Sequence, residues 1–357
     1  MENTKIDLIR ENLGKWRVDG LLITNAANRR WLTGFTGSAG MVLVTPQKAI
    51  LATDSRYWEQ AERQSPDFEI YRSRPTKEDM NNFLTLGGVN RIGFEAKFVS
   101  VADFRAFKRL DGFRWRGLAT TVEPFRAIKT AEELAKIETA ARITDDTVAQ
   151  FPRLAIPGVT EKAIAWELEK YMRDQGADKP GFDIIVASGG NSALPHHHPD
   201  DRQLQRGDII VVDLGAEVNG YRADLTRTFF LGDSPDEKFQ DIFSIVHRAQ
   251  LAAIDAIRAG VNGKFVDAQA REVIKAAGHG DHFGHGTGHS LGLEIHESPR
   301  FSVNSEREII QAGTVMTVEP GIYLPGYGGV RIEDLVLVTD SGAVYLSHAP
   351  KEPFIKI

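Results

Sequence analysis

Residues 209–230 read IIVVDLGAEVNGYRADLTRTFF, with two alternating apolar runs on either side of Asn219-Gly220. Asn-Gly between such runs is a strong signal of a two-residue hairpin turn, since both turn positions need a positive φ. In the register set by that turn, Asp213 faces Thr226 across the hairpin. Asp224 then shares a face with Asp213 and lies diagonally from it, about 7 Å away along the backbone. The stretch therefore predicts a hairpin that brings two carboxylates together.

A second hairpin is predicted over residues 315–338, VMTVEPGIYLPGYGGVRIEDLVLV, and it carries glutamates instead of aspartates. Glu319 ends the first strand, because Pro320 after it cannot donate a hydrogen bond to a ladder. Glu333 is predicted to lie in the returning strand, with Arg331 on the same face two residues earlier. Carboxylates that meet at such short range must either take up protons or bind a cation.

Between the hairpins, residues 284–297 read GHGTGHSLGLEIHE and contain three histidines. His285 and His289 have the four-residue spacing of two metal ligands on one helix. A zinc-protease helix needs a glutamate directly after the first histidine, and none is present. The glycines of this stretch also weaken a helix by about 1 kcal/mol each. Residues 291–295 alternate with period two, so the stretch is predicted to be a strand.

The composition describes a soluble globular chain. Its 357 residues suffice for two domains, and 42% hydrophobic with 26% charged residues is ordinary for such a protein. A net charge of -6 argues against a broad nucleic-acid surface. The charged start predicts no signal peptide, and no window has the roughly 18 apolar residues of a membrane span. The absence of cysteine excludes disulfides and cysteine ligands, and fits a reducing cytoplasm.

Two domains are predicted from the distribution of motifs. Residues 1–125 are expected to form a small α/β domain whose first helix begins after Thr4. Its further elements are predicted as strands at 20–24, 41–45 and 49–53 and a helix at 57–63. A capping box at Thr130 then opens a C-terminal domain of residues 126–357. All ten histidines lie at or after His196, so imidazole chemistry belongs to that domain.

Within the C-terminal domain the order of predicted elements repeats, with two helices, a strand and a hairpin occurring twice. The first pass is predicted as helices at 131–152 and 161–174, a strand at 183–187 and the hairpin at 209–230. The second pass begins with Ser234 as the helix N-cap and Pro235 at the first helical position. Its helices end near Gly260 and Gly278. The repeat predicts an α/β (α+β) fold in which two related halves close on a shared site.

In this order of motifs the C-terminal domain resembles the pita-bread metallopeptidases, the family of methionine aminopeptidase, aminopeptidase P, prolidase and the metal-free creatinase. The matching segments are VVDLGA, RADLTRT, HGTGHSLGLEIHE, TVEPGIY and VRIEDLV. The resemblance implies five metal ligands, namely Asp213, Asp224, His289, Glu319 and Glu333. His289 is identified as the ligand because it precedes His296 by seven residues, as in the family. A bend, expected near Gly292, must then return His296 to the site.

The implied ligands, four carboxylates and one imidazole, would hold two divalent cations, which suits Mn²⁺ and could also take Co²⁺, Fe²⁺ or Zn²⁺. Such a pair of ions supports hydrolysis. By the same resemblance, His285 and His296 contact substrate and stabilise the tetrahedral intermediate, and Glu319 handles the proton. Tyr323 and Arg331 match positions that line or brace the family's site.

Substrate preference is implied by residues 192–201, SALPHHHPDD, which resemble the Pro-His segment of proline-specific members. This match places His196 near the scissile carbonyl. Residues 28–61 resemble segments of aminopeptidase P-like enzymes, which also carry a creatinase-like N-terminal domain. The resemblance thus implies a cytoplasmic, homodimeric Xaa-Pro aminopeptidase that acts on peptides with proline in second position.

Three alternatives are open at this point. The first is a strict Xaa-Pro dipeptidase, which would need a cation to bind the free carboxylate of its substrate, and Arg29 or Arg30 could supply it. The second is a creatinase-like hydrolase that works without metal. The third is a non-enzymatic binding protein on the same fold. The full ligand set argues against the second and third, because those branches do not keep it.

Overall fold

A computed structural model describes residues 4–356 of the chain. The structure divides into two compact units, the first ending at Arg126 and the second beginning at Ala127. The division falls inside a short helix, Glu123–Ala127. Among residues 4–356, none of the helices is long and apolar enough to cross a membrane.

The first unit contains one six-stranded sheet with helices. The strands are β1 Gly20–Ile23, β2 Met41–Val44, β3 Ala49–Thr53, β4 Glu69–Arg72, β5 Arg91–Glu95 and β6 Arg114–Leu118. The helices are α1 Lys5–Trp16, α2 Ala26–Thr33, α3 Trp58–Gln64, α4 Lys77–Leu86, α5 Val101–Phe107 and α6 Glu123–Ala127. The strand order is β4-β3-β2-β1-β5-β6, in which β2 runs antiparallel to both neighbours and the other pairs are parallel. The predicted strands of this domain are confirmed.

Helix α1 begins as its sequence predicts. The Thr4 hydroxyl accepts a hydrogen bond from the backbone N–H of Asp7, and the Asp7 carboxylate accepts one from the backbone N–H of Thr4. This reciprocal pair satisfies two backbone donors that the first turn leaves without helical partners. Ile9 and Leu13 are buried on the inner face of the helix.

The second unit contains the repeated elements. Its helices are α7 Ala131–Val148, α8 Phe151–Leu154, α9 Glu161–Asp174, α10 Glu237–Ala256 and α11 Gly263–Ala276. Its first strands are β7 Lys179–Pro180, β8 Ile185–Ser188, β9 Ile209–Leu214, β10 Ala216–Val218, β11 Tyr221–Arg222 and β12 Leu225–Leu231. The remaining strands are β13 Gly288–Ser290, β14 Glu297–Phe301, β15 Val315–Val318, β16 Gly321–Leu324, β17 Gly328–Arg331, β18 Asp334–Val338, β19 Ala343–Tyr345 and β20 Phe354–Ile355.

The predicted repeat is confirmed in the order of these elements. In the first half, α7 and α9 precede β8 and the hairpin β9–β12. In the second half, α10 and α11 precede β13 and the hairpin β15–β18. Strands β9 and β12 lie in a sheet of order β20-β12-β9-β8, and β15 and β18 lie in a sheet of order β14-β13-β15-β18-β19. Each half thus offers one central hairpin from which side chains can reach a common site.

The first hairpin has the register that its turn predicts. The backbone φ is 50° and then 78° across the Asn219-Gly220 turn, and Thr226 pairs with Asp213. The hairpin is divided at Gly215, where an added Cβ would lie 1.9 Å from the carbonyl oxygen of Ala223. Glycine at this position permits the close approach of the two backbones. The division lets β10 pair with both β11 and β7, while β9 and β12 remain in the other sheet.

The strand predicted across residues 291–295 is wrong. Strand β13 ends at Ser290, and its pairing with β14 shifts register between His289 and Ser290. The chain then turns, because the Gly292 N–H donates to the Glu294 carbonyl oxygen at 3.1 Å. This turn is the bend that was expected near Gly292, and β14 begins just after it at Glu297.

The start of α10 also differs from its prediction. The N-cap is Asp236, not Ser234, and Pro235 precedes the helix. The Asp236 carboxylate accepts hydrogen bonds from the Phe239 N–H and from the Tyr327 hydroxyl, both at 2.7 Å. The second bond comes from a distant part of the chain, so it could not be predicted from the residues around the helix start.

Candidate active site

Three carboxylates from the two hairpins converge at one point. Asp213 lies in β9, Asp224 lies just before β12, and Glu333 lies between β17 and β18 rather than inside a strand as predicted. One carboxylate oxygen from each residue lies within 4.8 Å of the others. The Glu333 N–H donates to the Thr226 carbonyl oxygen at 3.1 Å, which ties the second hairpin to the first.

His289 and Glu319 complete the group of predicted ligands. The His289 Nε2 atom is 3.3 Å from Glu319 Oε1 and 3.6 Å from Asp224 Oδ2. The other ring nitrogen, Nδ1, donates to the Ser290 carbonyl oxygen at 3.1 Å. This bond fixes the tautomer and leaves the Nε2 lone pair directed at the carboxylates, as a metal ligand requires. Thr317 links the two residues, since its hydroxyl accepts from the His289 N–H and donates to Glu319.

The donor set fits divalent cations. Asp213 Oδ1 and Glu333 Oε1 are buried, and neither has a hydrogen-bond partner among residues 4–356. The second oxygen of each is held in place, that of Asp213 by Arg331 at 2.7 Å and that of Glu333 by the Thr226 hydroxyl at 2.7 Å. Buried polar atoms that lack a partner cost free energy, and a bound cation would satisfy both. Oxygen ligands with one imidazole suit Mn²⁺ and similar ions.

The clustered charges of this group also favour the binding of divalent cations. Burial and the neighbouring carboxylates raise the pKa of Asp224 and of Glu333 well above their usual range. Burial, with the charge of Asp213, raises the pKa of Glu319 to about 7 despite the opposing charge of Arg331. Divalent cations would remove this repulsion and let all the carboxylates ionise.

Three histidines of the site, His285, His289 and His296, are held neutral. Burial lowers the pKa of His289 to about 3 and that of His285 to about 4. Burial also lowers the pKa of His296. A neutral imidazole is the form that binds a metal or accepts a hydrogen bond, and all three have this form at neutral pH.

A chain of hydrogen bonds runs from the carboxylates to His285. Arg331 binds Asp213 through Nη2 and donates through Nη1 to the Tyr323 hydroxyl at 2.9 Å. The Tyr323 hydroxyl lies 2.9 Å from His285 Nε2, and His285 Nδ1 lies 2.8 Å from the Gly286 carbonyl oxygen. In the consistent arrangement, Nδ1 donates to Gly286 and Nε2 accepts from Tyr323. Arg331 and Tyr323 therefore orient both a predicted ligand and a predicted substrate-contacting histidine.

The turn after β13 brings His296 back beside His289. Their ring centroids are 4.4 Å apart and the rings meet edge to face. Lys129 lies behind this turn, with its ammonium 3.2 Å from the Ser290 hydroxyl and 3.5 Å from Glu297. This buried pair holds the two ends of the turn together.

A cavity of about 590 Å³ opens over these groups. The predicted residues on its wall are His196, Asp213, Asp224, His285, His289, His296, Glu319, Arg331 and Glu333. Tyr323 is bonded to two of them. The structure therefore brings all the predicted site residues to one place, although they are distributed over more than a hundred residues of sequence.

Arg300 lines this cavity and was not predicted. Its side chain is exposed and has no hydrogen bond or ion pair among the described residues. It follows the turn, four residues after His296, and no pattern in the sequence marks it.

Arg29, by contrast, is buried in the first unit, where its guanidinium donates to the carbonyl oxygens of Gly37 and Gly40. Arg29 is therefore held in its own unit and is not offered to a ligand there.

Comparison with known proteins places these features in a family. Residues 135–340 match metallopeptidase family M24, and residues 5–128 match the creatinase/prolidase N-terminal domain. An uncharacterized peptidase of Bacillus subtilis is 42% identical, over 98% of this chain and 99% of its own. The structure of an Xaa-Pro dipeptidase from Bacillus anthracis superposes with a TM-score of 0.95, at 39% identity and 99% coverage of both chains. An X-Pro aminopeptidase from Thermotoga maritima gives 0.91, at 35% identity, covering 99% of this chain and 100% of that one.

Proposed function

The chain belongs to metallopeptidase family M24, and from that premise we propose that it removes the N-terminal residue from peptides with proline in second position. The observation that carries the proposal is the cluster of four carboxylates, two of them buried and two partly buried, with one neutral imidazole beside a cavity that five further histidines line. The relatives named for Xaa-Pro substrates support the specificity. The proposed ligands are Asp213, Asp224, His289, Glu319 and Glu333.

The bound ions would supply Lewis acidity and lower the pKa of water, which is the chemistry that peptide hydrolysis needs at neutral pH. Glu319 lies on the cavity wall beside His289 and is the residue proposed to take and return the proton. His296 and His196 line the cavity, where they are proposed to stabilise the oxyanion and to contact the scissile carbonyl. Tyr323 and Arg331 hold His285 in place on the cavity wall, where it is proposed to contact the substrate.

A strict Xaa-Pro dipeptidase is the second candidate, and Arg300 is the observation that favours it. A dipeptide ends in a carboxylate directly after proline, and an unpaired guanidinium on the cavity wall could form a bidentate contact with it. In a longer peptide the same position carries an amide, which cannot make that charged contact. The two candidates thus share the ligands and differ in what Arg300 contributes.

Kinetics on the matched pair Ala-Pro and Ala-Pro-Ala distinguish the candidates. We expect cleavage of Ala-Pro-Ala at the Ala-Pro bond, with kcat/KM at least equal to that for Ala-Pro. Arg300→Ala is the companion variant, since it should spare the tripeptide and weaken only the dipeptide. Exclusive turnover of Ala-Pro, abolished in Arg300→Ala, would assign the chain to the dipeptidases.

Three finer points complete the proposal. Mn²⁺ is the preferred ion, which metal analysis of protein purified without chelator would test. The protein forms a homodimer, which light scattering after gel filtration would test. It acts in the cytoplasm, which fractionation of the source cells would test. Metal content near zero in active protein would overturn the whole proposal, not only the choice of ion.

A further inference from the structure

Glu161 is a fully buried carboxylate that the proposed reaction does not use. It stands at the first position of α9, directly after the N-cap Thr160. Among residues 4–356, the hydrogen bonds of its side chain all come from residues 188–202, which we call the His196 loop. A buried charge is retained only where hydrogen bonds compensate its desolvation. Here all of those bonds come from one loop, so the carboxylate fixes the position of that loop.

The bonds of Glu161 reach the His196 loop at several points. Oε1 accepts from the Ser188 N–H at 2.7 Å and from the Ser188 hydroxyl at 2.6 Å. Oε2 accepts from His197 Nε2 at 2.7 Å and from the Asp200 N–H at 3.2 Å. The Asn191 amide lies within 3.1 Å of Oε1 and 3.3 Å of Oε2. Both oxygens are thus surrounded by donors of the protein itself, which makes this cluster a hydrogen-bonded hub rather than a cation site.

The opposite side of the loop is fixed to the candidate active site. The Ser192 hydroxyl accepts from the Gly329 N–H at 2.9 Å, and the Pro195 carbonyl oxygen accepts from Arg331 at 3.4 Å. His196 therefore lies between Pro195, which is tied to Arg331, and His197, which is tied to Glu161. Both imidazoles line the cavity, but that of His197 is only 9% exposed and is bonded to Glu161, whereas that of His196 is exposed.

We propose that Glu161 and His197 are positioning residues that hold the His196 loop so that the His196 imidazole faces the substrate. The inference rests on the proposed function, because it presumes that His196 contacts the scissile group. Fixing the backbone on both sides of a reacting side chain lowers the entropy cost of reaching the productive geometry. A displacement of about 1 Å can cost 10²-fold in rate. Loss of the hydrogen bonds to Glu161 should therefore displace the His196 imidazole and lower the rate.

A double-mutant cycle tests this role. Glu161→Gln keeps the volume but presents an N–H₂ group to donors that need an acceptor. We expect it to lower kcat/KM for Ala-Pro-Ala by about 10-fold to 100-fold while the metal content stays at the wild-type value. In a His196→Ala background the same change should have less than about a twofold effect, because the residue that it positions is gone. Equal losses in both backgrounds would overturn the proposal and leave Glu161 a merely structural residue.

Further variants keep the test informative if Glu161→Gln fails to fold. His197→Phe removes one bond to Glu161 and keeps a flat ring, so it should show the same dependence on His196. His197→Gln retains an N–H donor and should restore part of the rate. Asp201→Asn is the matched control, since Asp201 lies in the same loop, is 86% exposed and, among the described residues, pairs with Lys162 alone. If His196→Ala itself leaves the rate unchanged, the role proposed for His196 fails, and this outcome is distinct from failure of the hub.

Discussion

At the scale of single residues, His289 and His296 are neighbours in space with different expected roles. His289→Ala should lose metal and activity together, because it removes the imidazole that faces Glu319 and Asp224. His296→Ala should retain metal and lose turnover by about 10²-fold to 10³-fold, as expected when one group that stabilises an oxyanion is removed. Metal analysis and kcat on the same samples check both. Retention of metal by His289→Ala with its loss from His296→Ala would reverse the assignment.

The raised pKa values of the carboxylates predict that metal binding releases protons. In the metal-free protein Glu319 holds its proton up to a pH of about 7, and burial also raises the pKa of Asp224 and of Glu333, whereas bound ions require these carboxylates ionised. Metal affinity should therefore fall as the pH decreases below about 7. Calorimetry of Mn²⁺ binding in two buffers of different ionisation enthalpy would measure the protons released at pH 6.

His289 should contribute nothing to the protons released when Mn²⁺ binds at pH 6. His289 is already neutral at pH 6, because burial lowers its pKa to about 3, so it has no proton to release. Glu319→Gln should reduce the number of protons released, since it removes a titrating ligand. Binding heats that do not depend on the buffer at pH 6 would contradict the raised carboxylate pKa values.

Some residues of the site could be predicted from local geometry, and the others only from the resemblance to a known family. The Asn219-Gly220 turn fixes the register, and the register places Asp213 beside Asp224. Arg300 and Glu161 could not be found in this way, because their importance depends on what the folded chain brings beside them. Arg300 is significant only as part of a cavity wall, and Glu161 only as the acceptor of a loop that begins 27 residues later.

At the scale of elements, the glycines of the histidine-rich segment are not equivalent. A Cβ on Gly288 would lie 2.0 Å from the Thr317 carbonyl oxygen of β15, whereas nothing lies within 4 Å of a Cβ on Gly284. Gly288→Ala should therefore push β13 away from β15 and displace His289, at a cost of about 1 to 3 kcal/mol in stability. We expect weaker metal binding and a lower Tm for Gly288→Ala.

Gly284→Ala is the control from the same motif, and it should leave both quantities near their wild-type values. Calorimetric metal titration and thermal melts of the two variants check the contrast. Equal behaviour of the two would show that close approach of β13 and β15 does not set the geometry of the site.

Element boundaries were harder to predict than element order. The capping box of Thr130 with Glu133 begins α7 as predicted, because both partners lie within one turn of the helix. The period-two pattern of residues 291–295 failed, because the hydrogen bond from Gly292 to Glu294 forms a turn where apolar alternation alone indicates a strand. Periodicity reports which side chains are buried, and Leu291 and Leu293 are indeed buried, but burial does not require a strand.

At the scale of the whole molecule, metal should stabilise the folded chain. Ions that bind only the native state add about 4 kcal/mol at a free concentration 1,000 times Kd. Removal by chelator should therefore lower the Tm by several degrees, since the clustered carboxylates then repel one another or take up protons. Scanning calorimetry with and without chelator measures the shift. The His289→Ala variant should show little or no shift, and a full shift in that variant would mean that the stabilising ions bind elsewhere.

The division of the ligands between two hairpins also has a kinetic consequence. Each acid pair is local in sequence, but Thr226 and Glu333, which bond to each other at the centre, are 107 residues apart. Contacts of such long range form late, because the entropy of closing the intervening chain must be lost first. Metal capture during refolding should therefore lag behind the recovery of helical circular dichroism. The rate of metal binding during refolding would then report the step at which the two halves of the C-terminal domain dock. A stopped-flow experiment with a metal indicator measures that rate.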